Sequence, residues 1–307
     1  EPARALAQAL QAEPPGDLAV SLRHGDDSYV AGEETAILEV LEGRRPWPRP
    51  KPPHPAAVGY RGRPTLVQNV ETLARVPAAV ADPDGFRAQE STLVTVWGHV
   101  RRPGVFEVPL GTPLARIVAD QAGGAPDGIG LLFPGGPSTS PLGPDRLETP
   151  LDPDALREAG SALGTAALLV VGASAPRHAV LVSAAAFFER ESCRQCPPCT
   201  IGTASLLRIA RLEAAGEARA RDRADVTDVG GFMADHGYCA HCRTAAVVVG
   251  GLLRSAPGGG DAADRGGPSG PAAGPAFDPF GPDSPERRAI EDVLLALPAP
   301  SAAPARP

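Results

Sequence analysis

The 307-residue sequence predicts an α+β chain of several domains, with strands gathered in the middle and helices dominating the later part. Three observations carry that expectation. STLVTVWGHV (91–100) alternates apolar and polar residues, and after a short turn a second stretch does the same. From His178 onward, apolar residues recur at helical spacing through four segments with short connections. Before residue 91, short apolar runs of both kinds flank a proline-rich loop. Composition bounds the rest. The 35 glycines and 36 prolines point to loop-rich segments, and only 4% aromatic residues leaves the cores to Ala, Val and Leu. A net charge of −7 argues against nucleic acid or an anionic membrane as the main partner. No apolar run approaches the roughly 18 residues of a membrane span.

Residues 1–90 read as mixed α/β. ARALAQAL (3–10) is helical, and the chain's start inside a helix at Glu1 reads as that of a fragment. LAVSLRH (18–24) has the pattern of a short strand. GEETAILEVLEG (32–43) is a helix with Ala36, Ile37, Val40 and Leu41 on one face and Gly43 to stop it. RPWPRPKPPHP (45–55) is an extended, stiff loop, because proline fixes φ and lacks an amide donor. PTLVQNVETLARVPAAV (64–80) starts as a loop and becomes a helix.

Residues 91–175 change character. STLVTVWGHV, the turn RRPG and VFEVPLG (105–111) make a hairpin. Thr112 is placed to cap the helix PLARIVADQAG, with Pro113 at its first position and Gly123-Gly124 at its end. IGLLFPGGPS and AALLVVGAS supply returning strands, so the segment describes a small β-grasp-like domain.

Residues 176–254 predict an antiparallel four-helix bundle. HAVLVSAAAFFERES (178–192) runs directly into three cysteines, and the prolines at 197 and 198 place those thiols on a turn. Thr200 or Thr203 is placed to cap TASLLRIARLEAAG, which ends at Gly216. DVTDVGGFMADHG is a weaker helix and HCRTAAVVVGGLLRS the last. Residues 255–307 are Gly/Pro/Ala-rich and bury too little apolar surface to offset chain entropy, with PERRAIEDVLLAL (285–297) the one short amphipathic segment.

ESCRQCPPCTIG (191–202) holds three of the five cysteines at C-x2-C-x2-C spacing. Clustered cysteines without a secretory signal suggest a reducing compartment and metal chemistry. In an up-down-up-down bundle this turn and the later GYCAHC turn lie at the same end, so Cys193, Cys196 and Cys199 can be joined by Cys239. Four thiolates, three close and one distant, suit a [4Fe–4S] cube. Zinc is the rival. Cys196, Cys199, Cys239 and Cys242 form a C-x2-C…C-x2-C set, but it leaves Cys193 idle and its gap exceeds the usual 15–20 residues. Buried, unliganded thiols are the third reading.

FFERESCRQCPPCTIGT resembles the cluster-binding segment of the flavin- and NADH-binding (F-type) subunit of respiratory complex I, and of related subunits in NAD-linked hydrogenases and formate dehydrogenases. YVAGEETAILEVLEGRRPWPRPKPP is similar to that family's tyrosine–glycine–diglutamate segment and lysine–proline loop. PTLVQNVETLARVP resembles its asparagine-rich segment, and VWGHVRRPGVFEVPLGTPL with FPGGPSTSPL its soluble-ligand-binding β-grasp domain. The resemblance covers roughly residues 20–254 in the family's order. It implies that Tyr29, Gly32, Glu33, Glu34, Lys51 and Asn69 line an FMN and NAD(H) site. It implies Cys193, Cys196, Cys199 and Cys239 as ligands of the [4Fe–4S] cluster. From pattern alone, Glu33-Glu34 is more often a solvated helix start, where acidic residues suit the dipole, and Lys51 reads as a surface lysine.

The expected activity is that of an NADH dehydrogenase subunit, with electrons passing from NADH through FMN to the cluster and on to a partner. Implied partners are a thioredoxin-like [2Fe–2S] subunit and a larger iron–sulfur subunit, and the implied location is cytoplasmic, peripheral on the inner face of the membrane through those partners. A cluster-only electron carrier and a zinc-stapled interaction module are the alternatives. The implied domains are the C-terminal part of an FMN/NADH-binding domain (1–90), a β-grasp domain (91–175), the cluster-binding bundle (176–254) and a low-complexity tail (255–307). Some positions depart from the family. The glycine-rich flavin-phosphate loop has no counterpart here, Gln68 stands for an asparagine, Ala31 for a cysteine, Thr200-Ile201 for Arg-Glu, and His241-Cys242 for a small, neutral pair.

Overall fold

A computed structural model describes residues 2–13, 16–17, 19–23, 25 and 28–255. The low-complexity tail and its amphipathic segment therefore lie outside the described residues.

The N-terminal part carries helices and no strand among the described residues. α1 (Pro2–Ala12) precedes a 3₁₀ turn (Tyr29–Gly32) and α2 (Glu34–Leu41). Residues 19–23, expected as a strand, are irregular, with Val20 and Leu22 exposed. An isolated extended segment has no ladder for its amides and carbonyls, so the apolar pattern alone does not make it a strand. α2 buries Ala36 and Leu38 and stops before Gly43, whose φ of 79° closes the turn. The proline-rich loop leads to α3 (Val70–Ala81) and α4 (Pro83–Ala88), a short helix that the sequence did not announce.

The middle part is a four-stranded mixed sheet. β1 (Ser91–Gly98) and β2 (Gly104–Pro109) form the expected hairpin, with Val94 opposite Phe106 and Val96 opposite Gly104. α5 (Leu114–Arg116) continues into a π-turn (Ile117–Gln121). Thr112 does not cap it: its hydroxyl donates to the Pro109 carbonyl at 2.7 Å, and Pro113 stands at the helix start without a side-chain cap. β3 (Ile129–Phe133), α6 (Pro153–Glu158) and β4 (Ala167–Gly172) follow. The strand order is β2-β1-β4-β3, and β4 runs parallel to β1, Val96 opposite Leu168. β4 is apolar at every position because both of its faces are covered. Leu168 and Val170 point to a core with Val94, Val96, Leu114, Ile117 and Leu156, while Leu169 and Val171 point to the helices that follow.

Those helices are α7 (Arg177–Arg190), α8 (Pro197–Ala215), α9 (Ala220–His236) and α10 (Ala240–Ser255). They share one core with Phe133, Leu169 and Val171, so sheet and bundle are locked together. α8 begins at Pro197, which corrects the reading of the prolines as excluding helix. The first-turn amides of a helix lack intrahelical partners, so proline costs nothing there and its φ suits the first turn. Thr200 and Thr203 lie inside α8 and bond back to the carbonyls of Cys196 and Cys199 at 3.2 and 2.8 Å instead of capping it. Among the described residues no helix is long and apolar enough to cross a membrane.

Candidate metal centre

The α7–α8 and α9–α10 connections lie at one pole of the antiparallel bundle, and they carry all five cysteines. After α7 the chain turns through Ser192–Gln195, with Arg194 in the left-handed region at φ 59°. Cys196 is the N-cap residue of α8, and Cys199 sits in its first turn rather than on the loop. Cys239 immediately precedes α10, and Cys242 lies one turn inside it.

The five sulfurs form one electrostatic group. Cys199 Sγ lies 3.3 Å from Ser192 Oγ, and either atom can be the donor. The neighbouring Cys242, Ser192 and Cys196 side chains bring the Cys199 thiol down to about 7, against the opposing effect of burial. Burial pushes Cys239 up to about 11, and the nearby Cys199 and Cys193 sulfurs add to that push. Cys193, half-buried, is also raised by burial and by its neighbours Cys199 and Cys196. Cys196, Cys199, Cys239 and Cys242 are all buried. The distant cysteine turn thus lies within electrostatic reach of the near one.

Backbone amides and one hydroxyl lie near these sulfurs. Against the larger effect of burial, the Gln195 backbone acts to lower the Cys193 thiol, and the His241 and Cys242 backbone in the first turn of α10 acts to lower that of Cys239. Donors of this kind are what an iron-bound thiolate accepts. Among the described residues no three His, Cys, Asp or Glu side chains converge closely enough to hold one ion. Four thiols, three of them buried, are the donor chemistry that a cube with an iron at each of four corners takes. Arg194, between Cys193 and Cys196, is tied to Glu189 at 3.1 Å.

The residues implied for a nucleotide site divide into two places. Lys51 Nζ donates to Glu33 Oε1 at 2.7 Å and Glu34 Oε1 at 2.8 Å. Glu33 is also the N-cap of α2, its other oxygen accepting from the Thr35 and Ala36 amides at 2.8 and 3.0 Å. Burial works to raise the Glu33 carboxyl, but the bonds from Lys51, Thr35 and Ala36 hold it below the usual carboxylate range. The adjacent Gly32 is exposed, with no neighbour where a side chain would stand. Asn69 serves elsewhere, capping α3 through its bond from the Glu71 amide at 2.7 Å.

Tyr29 connects the N-terminal part to the cysteine pole. Its amide donates to Glu191 Oε2 at 3.2 Å, its hydroxyl bonds Ser138, and its ring stands edge-on to Phe187 with centroids 5.0 Å apart. The His241 ring lies 5.8 Å from Tyr29 and donates Nε2–H to the Phe188 carbonyl at 2.9 Å. Glu191, Ser192 and Ser138 were not singled out from sequence. Ser192 has the only local signal, its place immediately before Cys193.

Three family models match the chain. The NADH-ubiquinone oxidoreductase-F iron-sulfur binding region matches residues 179–257, the Nuo51 FMN-binding domain residues 1–78, and the SLBB domain residues 93–141. The F subunit of NADH-quinone oxidoreductase from Mycobacterium bovis is 39% identical over 233 residues, covering 73% of this chain and 52% of the relative. The chain belongs to the family of F-type subunits. The Streptomyces coelicolor counterpart is 38% identical with the same coverage, so the chain spans about half the length of the F-type relatives it matches. A crystal structure of NAD+-reducing [NiFe]-hydrogenase in the H2-reduced state matches with a TM-score of 0.71 at 29% identity, covering 81% of this chain and 43% of that one. The bundle with its cysteine pole is the iron–sulfur binding region of this F-type chain.

Proposed function

We propose that this chain serves in an NADH:acceptor oxidoreductase of the NADH-quinone oxidoreductase type, passing electrons that originate in NADH through FMN and a [4Fe–4S] cluster to a partner subunit. One observation carries the reading: thiols from two separate turns share a buried pole under an iron–sulfur family model. Cys193, Cys196, Cys199 and Cys239 hold the cluster, which supplies one-electron storage when bound. The amides of Gln195, His241 and Cys242 and the Ser192 hydroxyl stabilise the added negative charge on the sulfurs. Burial of three of the four ligands keeps water away from it.

Gly32, Glu33, Glu34 and Lys51 face the nucleotide side, with Lys51 held by both carboxylates, and Tyr29 joins this part to the cysteine pole. Asn69 caps α3, and its part in the nucleotide site rests on the family resemblance alone. The domain division at 90, 175 and 254, with a β-grasp domain in the middle, fits the β2-β1-β4-β3 sheet and its parallel central pair. The relatives' names denote one component of a larger enzyme. That supports a thioredoxin-like [2Fe–2S] protein and a larger iron–sulfur protein as partners, at the inner membrane face.

The test is anaerobic reconstitution with iron, sulfide and FMN, followed by addition of NADH. NADH-dependent bleaching of the cluster absorbance, together with ferricyanide reduction, is the expected result. Cluster reduction by dithionite but not by NADH, with no flavin retained, reduces the chain to an electron carrier. Zinc in place of iron makes it an interaction module.

A further inference from the structure

His241 follows Cys239 by two residues, in the first turn of α10, and the proposed ligand set leaves its side chain without a role. The ring is buried, packed against Phe188 with centroids 5.3 Å apart and against Tyr29 at 5.8 Å. Its Nε2 lies 2.9 Å from the Phe188 carbonyl oxygen. A carbonyl only accepts, so Nε2 carries the hydrogen and donates it. Nδ1 has no hydrogen-bond partner among the described residues, which leaves Nε2–H as the ring's polar tie.

The Phe188 carbonyl is open to that donor for a local reason. α7 ends at Arg190, and the carbonyls of a last turn lack intrahelical amides. The Ser192 amide, which a longer helix would aim at Phe188, donates to the Glu189 carbonyl at 3.4 Å. The imidazole from α10 takes its place. The bond therefore runs from the segment that carries Cys239 to the end of the helix that leads into Cys193.

Apolar packing alone does not fix the register between those two segments. α10 meets the shared core through Ala245, Val248, Val249 and Leu252, and burial of such surface is non-directional. A hydrogen bond is directional and weakens steeply when misaligned. Here the two flanking rings also hold the donor in one orientation.

We propose that His241 is a positioning residue for the cluster: its Nε2–H bond to the Phe188 carbonyl clamps the start of α10 to the end of α7, and so sets Cys239 at the corner left by Cys193, Cys196 and Cys199. The inference rests on the ligand assignment under the proposed function. Groups that orient a metal ligand without touching the metal typically change its affinity by about tenfold or more when lost.

The experiment is anaerobic reconstitution of the full chain with iron and sulfide, then timed alkylation with iodoacetamide and mass spectrometry of each cysteine peptide. Wild type is compared with His241→Gln, which keeps an N–H donor, and with His241→Phe and His241→Leu, which lack one. A thiolate bound to iron resists alkylation, so the label reads each ligand separately. Wild type and His241→Gln are expected to protect all four ligand cysteines. In His241→Phe and His241→Leu, Cys239 is expected to react about tenfold faster than in wild type, while Cys196 and Cys199 keep their protection. A merely structural role would expose all four together. Unchanged protection of Cys239 in both donor-free variants, equal loss at all four cysteines, or a Gln variant that behaves like the Phe variant overturns the proposal. So does loss of fold in both donor-free variants, read by circular dichroism of the metal-free chain, because His241 would then be a core residue only. Absence of iron from the wild type instead overturns the ligand assignment, and the clamp's purpose with it.

Discussion

Gly237→Ala is the sharpest test of packing at the cysteine pole. The added methyl group would meet Cys242 Cβ and Sγ at 2.7 Å and the Met233 carbonyl at 2.7 Å. Two of those three atoms belong to backbone or to a Cβ, so rotating a side chain relieves only the Sγ contact. The backbone angles at Gly237 suit alanine, so chain-entropy effects favour the variant slightly and oppose the overlap. Overpacking of this kind costs about 1–3 kcal/mol. With a urea slope of about 2 kcal/mol/M, a loss of about 2 kcal/mol moves the unfolding midpoint down by about 1 M. The assay is urea unfolding of the metal-free chain under reductant, followed by circular dichroism. Adding Cys242→Ala removes the Sγ overlap but leaves the Cβ and carbonyl overlaps. The double variant should therefore recover part of the loss, a coupling of about 0.5–1 kcal/mol. A midpoint unchanged within error in Gly237→Ala, or strict additivity in the double variant, refutes the close approach of Gly237 and Cys242.

Other outcomes follow from the same geometry. Glu33→Ala removes the α2 cap and a Lys51 partner and should cost about 1–2 kcal/mol, whereas Glu33→Gln, which keeps an acceptor oxygen, should cost less; urea midpoints of the two variants decide. Glu33 is held below its ordinary value, so its stabilisation is complete above the usual carboxylate range and fades as pH falls through the depressed folded value. Lys51 is raised, so its share is complete below the ordinary lysine value and fades as pH rises through the raised one. Lys51→Met should therefore lower stability at neutral pH and flatten its fall on the acid side, and an unchanged acid limb counts against the pair. Phe188→Ala, at a 1% exposed position whose backbone carbonyl also holds His241, should cost about 3–5 kcal/mol and be visible in thermal unfolding.

Much of this was legible in the sequence, for identifiable reasons. The hairpin of β1 and β2 was clear because period-2 alternation flanks a proline–glycine turn. The bundle was clear because four segments keep a helical period, and with it came the shared pole of both cysteine turns. Errors came where local chemistry has two outcomes. Pro197 and Pro198 break a helix in its middle but fit its first turn, so Cys199 moved from loop to helix. LAVSLRH has the alternation of a strand, but no neighbour supplies its ladder. Glu33 is the helix start that pattern alone suggests, and its ion pair with Lys51 joins two residues that only the family resemblance singles out. The bond from His241 to the Phe188 carbonyl joins α10 to α7, and no spacing along the chain encodes a contact between helices.

The most direct measurement is iron and acid-labile sulfide per chain after anaerobic reconstitution, in wild type and in single serine variants of each cysteine. The account predicts about four of each in wild type and in Cys242→Ser, with loss in Cys193→Ser and Cys239→Ser. Retention of a full cluster in Cys239→Ser, or one zinc per chain held through Cys242 but indifferent to Cys193, contradicts it.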